Sequence, residues 1–477
     1  MRTIAASIVG ALLFLSPLAT HAQDKTVSLD AVAKAMGAAS IRSVEITGTG
    51  TIYAVGQSTA PGAPWPRFTM RTSTRTIDYE TGALRDDFTR MRVDEPPRGG
   101  APFFRGEQRQ VLLVHGDHAW NVVGETATPA SLALAERQFQ LWSTPHGVVK
   151  AAMKHKGTVQ GRTISFGVPG RFKAKATVND QNLVERVDAL VAHPVVGDMP
   201  VEIVYAEYND FGGVNFPRKI RQSAGGFPAL EMTVTAVKAN TPANVQAPDA
   251  VRQASGVYSR VASEKAADGV WYLTGGSHHS VVIEMKDHVI VVEGPLNEER
   301  AVAVLAETKK LVPAKPVRYV INSHHHYDHS GGLRAFAAEG VTVVTSEVNL
   351  PFFQWALAAP ATVSPDRQAR ARKAPKVEGV GDRRVLTDGT RTVEIHQIAG
   401  NFHHDGMLMV YLPKERLMSQ ADAYTPAPPN TPPLTPPNPF SVNLAENVKR
   451  LTLDIDRLLP LHGRMVPYDE LTRAVSQ

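Results

Sequence analysis

Between Ser28 and Thr241 apolar and polar residues alternate in many short segments. A period of two marks strands with one buried face. The clearest segments are 43–47, 67–77, 88–93, 158–166, 172–178, 183–190, 201–208 and 232–237. Asn179-Asp180 and Gly212-Gly213 supply turn chemistry between them, as in an antiparallel meander. A helix is predicted at the start, with Ser28 as N-cap before Leu29, Val32 and Met36, and a helical stretch over 131–156. Nothing in this half reads as catalytic, and its many Arg and Thr residues fit the solvated face of a sheet.

The pattern changes at Gly269. Short apolar runs at 270–273, 281–285 and 289–293 predict strands, followed by a helix over 297–311. A strand at 317–322, a helix at 332–338 and a strand at 341–345 come next, then strands at 392–398, 407–412 and 416–419. Ser441 is expected to cap a last amphipathic helix whose apolar side carries Val448, Leu451, Leu453, Ile455 and Leu458. This is a mixed α/β layout with covered sheet faces. Residues 242–268, rich in Pro, Ala and Asn at their start, read as a linker. The expected organisation is thus a β-rich domain over 23–241, a linker, and an α/β domain over 269–477.

The first residues read as an address. Arg2 precedes an apolar run over 4–18, and Ala19-Thr20-His21-Ala22-Gln23 places small residues where a signal peptidase reads. A signal peptide over 1–22 implies a periplasmic or secreted protein. No later stretch is long and apolar enough to span a bilayer. The 477 residues carry a formal net charge of only +5, without a dense basic block, so no nucleic-acid partner is expected. The absence of Cys excludes disulfides, thiolate metal sites and Cys nucleophiles.

The most informative stretch is Ser323-His324-His325-His326-Tyr327-Asp328-His329-Ser330-Gly331-Gly332, directly after an apolar strand and before a helix. Residues two apart on an extended segment point the same way, so His324 and His326 can share one metal. Asp328 and His329 can reach a second metal as the chain turns toward the helix. Gly331 and Gly332 are expected to permit a tight turn there. His325 is the spare member, facing solvent or standing behind the ligands. The site falls at the carboxyl end of a strand, where open α/β sheets place ligands.

With these residues in view, the second half resembles the metallo-β-lactamase superfamily, in the glyoxalase II-like form of its motif. The resemblance implies an αββα sandwich with a dinuclear site. Gly400-Asn401-Phe402-His403 before the apolar strand resembles the family's third motif and assigns His403 to the first metal, with His404 as the neighbour a shifted turn would select. Leu417-Met418-Ser419-Gln420-Ala421-Asp422 resembles the fourth, with Asp422 bridging both metals. Leu459-Pro460-Leu461-His462-Gly463 resembles the fifth and gives His462 to the second metal. The implied ligand set is His324, His326, Asp328, His329, His403, Asp422 and His462, with Asp328 also catalytic. The chain departs from the family at His404 and Asp405, where Thr or Ser usually follows the third-motif His, at Ala421 and at Glu293.

Imidazoles and carboxylates hold Zn²⁺ while leaving room for water. Two Zn²⁺ are expected, with iron or mixed occupancy as the alternative, and they would activate water without a Ser or Cys nucleophile. The implied activity is hydrolysis of an ester, lactone, thioester or amide bond, including a β-lactam, in a small-molecule substrate. The alternatives are a phosphodiesterase or sulfatase, and a periplasmic lipid carrier with a vestigial metal domain. The carrier reading draws on 205–217, which resembles strands of curved sheets of the outer-membrane lipoprotein carrier type. His279, in the hairpin Gly275-Gly276-Ser277-His278-His279, is a candidate substrate-binding residue. The Pro-rich run over 425–440 reads as a cleft wall or as an exposed spacer or partner-binding segment, and 350–360 as a lid, an apolar wall or core.

Overall fold

In the computed structural model, which describes residues 26–100, 106–254 and 256–476, the first half forms one thirteen-stranded antiparallel sheet. The predicted signal peptide lies outside the described residues. The strand Ser43–Tyr53 pairs with Phe227–Ala239, which joins the beginning and end of this half at the middle of the sheet. The strand Phe172–Val178 alternates buried Phe172, Ala174, Ala176 and Val178 with outward lysines, as the period of two requires. The helix Leu29–Met36 is capped by Ser28, whose Oγ accepts from Ala31 N at 3.1 Å.

Two differences from the sequence reading have local causes. The helical stretch splits into Leu134–Ser143 and Pro145–Lys154. Thr144 precedes a proline, which steers its backbone out of the helical region, and its hydroxyl then caps the second helix by accepting from Gly147 N. The strands Glu107–His115, His118–Val123 and Thr126–Pro129 were not expected. Four polar residues, Glu107 to Gln110, precede four apolar ones, Val111 to Val114, so a period of two does not register.

His146 lies fully buried under this sheet, its Nε2 2.9 Å from Met36 O and its ring stacked on Phe216. Burial lowers its pKa to about 4. The unfolded chain takes up this proton near pH 6.5, whereas the native state resists it. Its contribution to stability is therefore complete above about pH 6.5 and lost as pH falls toward 4, a loss on the order of 3 kcal/mol. The urea midpoint should fall from pH 7 to pH 4.5, and fall less in His146→Gln, whose amide can still donate to Met36 O. Equal falls in both proteins would contradict this assignment.

The second half is a four-layer sandwich. A seven-stranded sheet and a six-stranded sheet share one core, which takes in Tyr272, Ile283, Ile290 and Ile321 of the first and Ile395, Met409, Val410 and Leu458 of the second. The strand Val289–Val292 is buried on both faces. Its other side packs with Ala301 and Val304 of the helix Glu298–Leu311 and with Leu333 and Phe336 of the helix Leu333–Glu339. Leu444, Val448 and Leu471 bring the helices Pro439–Arg450 and Tyr468–Val475 onto the second sheet. The fold is thus an α/β sandwich of αββα type preceded by a mostly antiparallel β domain.

The last helices differ from expectation. Asn438, not Ser441, caps the helix Pro439–Arg450, accepting from Phe440 N at 3.0 Å, because Pro439 is suited to the first helical position. The helix stops before Leu451, and Leu458 belongs to the strand Arg457–Pro460. Within 242–268, the strand Ala262–Ala267 already forms the edge of the seven-stranded sheet. Ala243, Val245, Ala247 and Val251 pack against Val111, Leu113 and Trp120, so this stretch clasps the first sheet.

The two halves interlock beside the His-rich loop. Tyr327 N donates to Gly56 O at 3.3 Å, Asp405 N to Thr59 O at 2.7 Å and Gly99 N to Phe402 O at 2.8 Å. Backbone bonds of this kind set the height of one domain on the other, which bears directly on the site.

Candidate metal centre

The strand Val317–Ile321 delivers Ser323 to His326 at its carboxyl end, and the single helical turn Tyr327–Ser330 follows. Gly331 does not serve as a hinge here: its φ of −64° suits any residue. It is required because a Cβ would fall onto the carbonyl oxygen of Leu296, well inside van der Waals contact. Leu296 N in turn donates to Asp328 O at 2.7 Å. The close approach therefore sets where Asp328 stands.

All seven residues assigned to metal on the sequence converge. His324, His326, His403 and Asp422 form one group, and His278, Asp328, His329 and His462 a second. Within each group one nitrogen or oxygen per residue lies within 4.8 Å of the others. Asp422 stands between them. Its Oδ2 lies 2.9 Å from His403 Nε2 and 3.6 Å from His324 Nε2. Its Oδ1 lies 2.9 Å from His462 Nε2 and 3.2 Å from His329 Nε2. One carboxylate thus turns a different oxygen to each imidazole group.

Residues 273–462 match the model of the metallo-beta-lactamase superfamily. This part of the chain is a metallo-beta-lactamase superfamily domain. Among solved structures the chain is similar to a metallo-beta-lactamase from Pontibacter korlensis, at 17% identity over 46% of this chain and 98% of that one, with a TM-score of 0.35. It is also similar to the DIM-1 metallo-beta-lactamase, at 15% identity over 46% of this chain and 96% of that one, TM-score 0.34. A third is TMB-1, at 14% identity over 45% of this chain and 95% of that one, TM-score 0.35. No curated protein matches the sequence.

The metallo-beta-lactamase domain prepares its donors for a cation. Ser323 Oγ lies 2.9 Å from His324 Nδ1 and itself donates to Glu293, so it can accept the His324 Nδ1 proton and leave the Nε2 lone pair facing the cluster. His326 Nε2 lies 2.8 Å from the Ser58 carbonyl, which can only accept, and this leaves the Nδ1 lone pair 2.9 Å from His324 Nε2. His462 Nδ1 likewise lies 3.0 Å from Ser277 O. Lone pairs that face one another cannot satisfy each other by hydrogen bonds. A divalent cation satisfies them all at once, and the His and Asp set fits it.

The local electrostatics favour the same occupant. Burial holds His324 neutral, with a pKa lowered to about 3, and takes His326 well below the ordinary value. Burial opposes charge on His329 too, but Asp422 and Asp328 outweigh it and raise its pKa well above the usual range. Burial raises Asp328 and Asp422, yet the surrounding histidines prevail and keep both carboxyls well below the ordinary range. The anionic carboxylates and neutral His324 and His326 are already in the protonation states that bind metal, whereas His329 would have to release its proton to an ion.

His279 is the one candidate the structure turns away from the site. Its ring packs edge-on against Tyr272, whose hydroxyl lies 2.5 Å from Nδ1, and its Nε2 is 3.2 Å from Gly276 O. Its neighbour His278 faces the cleft, with Nε2 3.1 Å from Asp328 Oδ2. Adjacent residues on an extended segment point to opposite sides, so only one of the pair could reach the site, and the sequence did not set the phase. The fully buried Arg300 holds this hairpin through the carbonyls of Arg260, Thr274 and His278.

Other residues acquire definite places. His325 is buried, 2.5 Å from His404 Nε2 and 3.2 Å from Ser58 Oγ, and does not face solvent. His404 stands behind the cluster, and His403 is the residue at Asp422. Glu293 accepts from Asn322 Nδ2 at 3.0 Å and lies 3.4 Å from His329 Nδ1, so this departure from the family pattern still orients a candidate ligand. Phe352 packs on Tyr327 and His325, Phe353 is core, and Trp355 is exposed, so the 350–360 region forms no wall of the cleft.

Nothing in the first half was read as catalytic, yet residues of it reach the site. Gln57 Nε2 donates to Asp328 Oδ1 at 2.8 Å, and Ser58 sets His326 as described. Ala54, Val55, Gln57 and Arg90 line a cleft of about 720 Å³ with His278, Asp328, His403, Asp422 and His462. Thr425, Leu434 and Asn438 of the Pro-rich run supply another wall. No short motif announces Gln57, because it acts across a separation of 271 residues.

Proposed function

We propose that this protein is an exported hydrolase with a dinuclear zinc centre, acting on ester, lactone, thioester or amide bonds, β-lactams among them. Iron or mixed zinc and iron occupancy would serve the same residues. The observation that carries the reading is Asp422, whose two oxygens address the two imidazole groups separately. His324, His326 and His403 would hold one ion, and Asp328, His329 and His462 the other, with Asp422 shared. His278 is a further donor on the second side.

When bound, the ions supply a water acidified to near-neutral pKa and an electrophile for the carbonyl oxygen. The chain's own residues do the rest. Gln57 and His278 grip the two oxygens of Asp328 and fix the plane of its carboxylate. Asp328 would orient the attacking water and hold its proton. Ser323, Ser58 and Ser277 keep the imidazole lone pairs aimed inward. The cleft between Val55 and Gln57 on one side and Thr425 and Leu434 on the other would orient a small substrate.

Metal analysis of the isolated protein should return two ions per chain. A hydrolytic panel on metal-replete protein should then find one bond class turned over, and Asp328→Asn should lower kcat for it by roughly 10²- to 10³-fold. Turnover unchanged in that variant would remove Asp328 from the reaction. Export is proposed from the N-terminal sequence, and a mature protein beginning at Gln23, read by intact mass, would establish it. Among the described residues no helix is long and apolar enough to cross a membrane.

A further inference from the structure

A second cavity, of about 390 Å³, lies inside the first half and ends at the metal cluster. Eight neighbouring strands of the thirteen-stranded sheet reach it, from Glu107–His115 on one side to Val184–His193 on the other. Laid flat, eight strands would span roughly 34 Å at about 4.8 Å each. For all of them to line one cavity, the sheet must wrap around it. The helix Leu134–Ser143 covers it through Phe139. The wall is dominated by Ile52, Met70, Phe88, Met199, Leu230 and Met232. Arg75 and Asp86 on this wall pair with each other, while Glu136, Gln140, His193 and Gln222 add polar groups to an otherwise apolar lining.

Three residues, Val55, Gln57 and Asp328, line both this cavity and the metal cleft. Tyr327 and Leu296, flanking Asp328 in space, also belong to its wall. The volume lies within the range of ligand pockets, about 300–1,000 Å³, and far exceeds a packing defect in a close-packed interior. We propose that this cavity holds the apolar tail of the substrate, and that the substrate is an amphiphilic acyl ester whose cleavable bond lies at the metal cluster.

The bond placement rests on the hydrolase reading above, whereas the tail site rests on the cavity. In the reaction the acyl carbon–oxygen bond breaks and the oxygen of one water ends on the acyl carbon. The alcohol oxygen takes one proton and a second is released to solvent. The fatty carboxylate keeps its chain in the sheet. The first half then acts as the specificity element of the enzyme, which explains why its strands and its Gln57 loop are built against Asp328.

The test uses the full-length, metal-replete protein and p-nitrophenyl esters from acetate to decanoate, together with calorimetric titration by decanoate and by acetate. kcat/KM should climb by up to about fourfold per methylene until the cavity is filled. Decanoate should bind far more tightly than acetate. Ala229→Phe, which fills the cavity from the strand Phe227–Ala239, should lower the octanoyl-to-acetyl ratio of kcat/KM at least tenfold and weaken decanoate equally. Ser73→Leu makes the same test from the strand Arg67–Asp78 should the first variant fail to fold. A flat chain-length profile, or decanoate affinity unchanged by a folded cavity-filling variant, would overturn the proposal. Decanoate binding lost in the variants without turnover of any ester would leave the tail site standing and remove the hydrolase reading instead.

Discussion

Asp422→Ala is expected to reduce hydrolytic turnover by at least about 10⁴-fold and to leave fewer than two ions per chain. Four imidazoles converge on this one carboxylate, at 2.9 to 3.6 Å from its two oxygens. Without it the first group retains three other donors and the second four, so a single ion could still bind. What disappears is the anion that shares its charge between the two sites. With a side chain only 17% exposed, Asp422 is a charge whose loss weighs more than one at the surface. The factor corresponds to roughly 5.5 kcal/mol of transition-state stabilisation. Metal content by mass spectrometry and kcat at saturating zinc check the two parts separately. Full occupancy with wild-type turnover would show that Asp422 is not shared between the ions.

Gly331→Ala should destabilise the metallo-beta-lactamase domain by more than about 4 kcal/mol, the range reached when a core position is forced apart. The added methyl group would overlap the carbonyl of Leu296, which is backbone and has no flexible end to swing away. Leu296 is bonded through its N–H to Asp328 O, so any retreat drags Asp328 with it. Stability and metal retention should therefore fall together. Gly381→Ala serves as the comparison, since a Cβ there meets nothing closer than 3.7 Å. Thermal unfolding of both variants, with and without chelator, measures the effect. A Gly331→Ala protein within 1 kcal/mol of wild type would mean that the Leu296 carbonyl moves freely.

The His-rich loop was legible because its chemistry is local. Six consecutive positions, His324 to His329, carry the donors, and the flanking strand and helix follow from apolar periodicity. His403, Asp422 and His462 were reached through resemblance to a family, not through spacing. Strands with clean alternation, such as Phe172–Val178, could be placed from the chain itself. The strand Glu107–His115 could not, since its polar and apolar residues come in blocks.

The choice between His278 and His279 depended on the phase of a hairpin, which the register against neighbouring strands sets. The part played by the first half was hidden for a related reason. Gln57 is an ordinary polar residue in a polar loop until the docking of two domains brings it to Asp328. The glycine pair was foreseen at a turn, where both residues lie, but the need for glycine comes from a backbone neighbour distant in sequence.

By itself the sequence determined the two textures of the chain, the mixed α/β layout of its second half and the donors of the His-rich loop. Those properties are carried by periodicity and by side-chain chemistry, which act over a few residues. Only the tertiary structure decided which imidazoles share Asp422, which half supplies the partner of Asp328, and that the first sheet curls into a cavity ending there. Sheet curvature and domain docking are sums over many distant contacts, and no short segment encodes them alone.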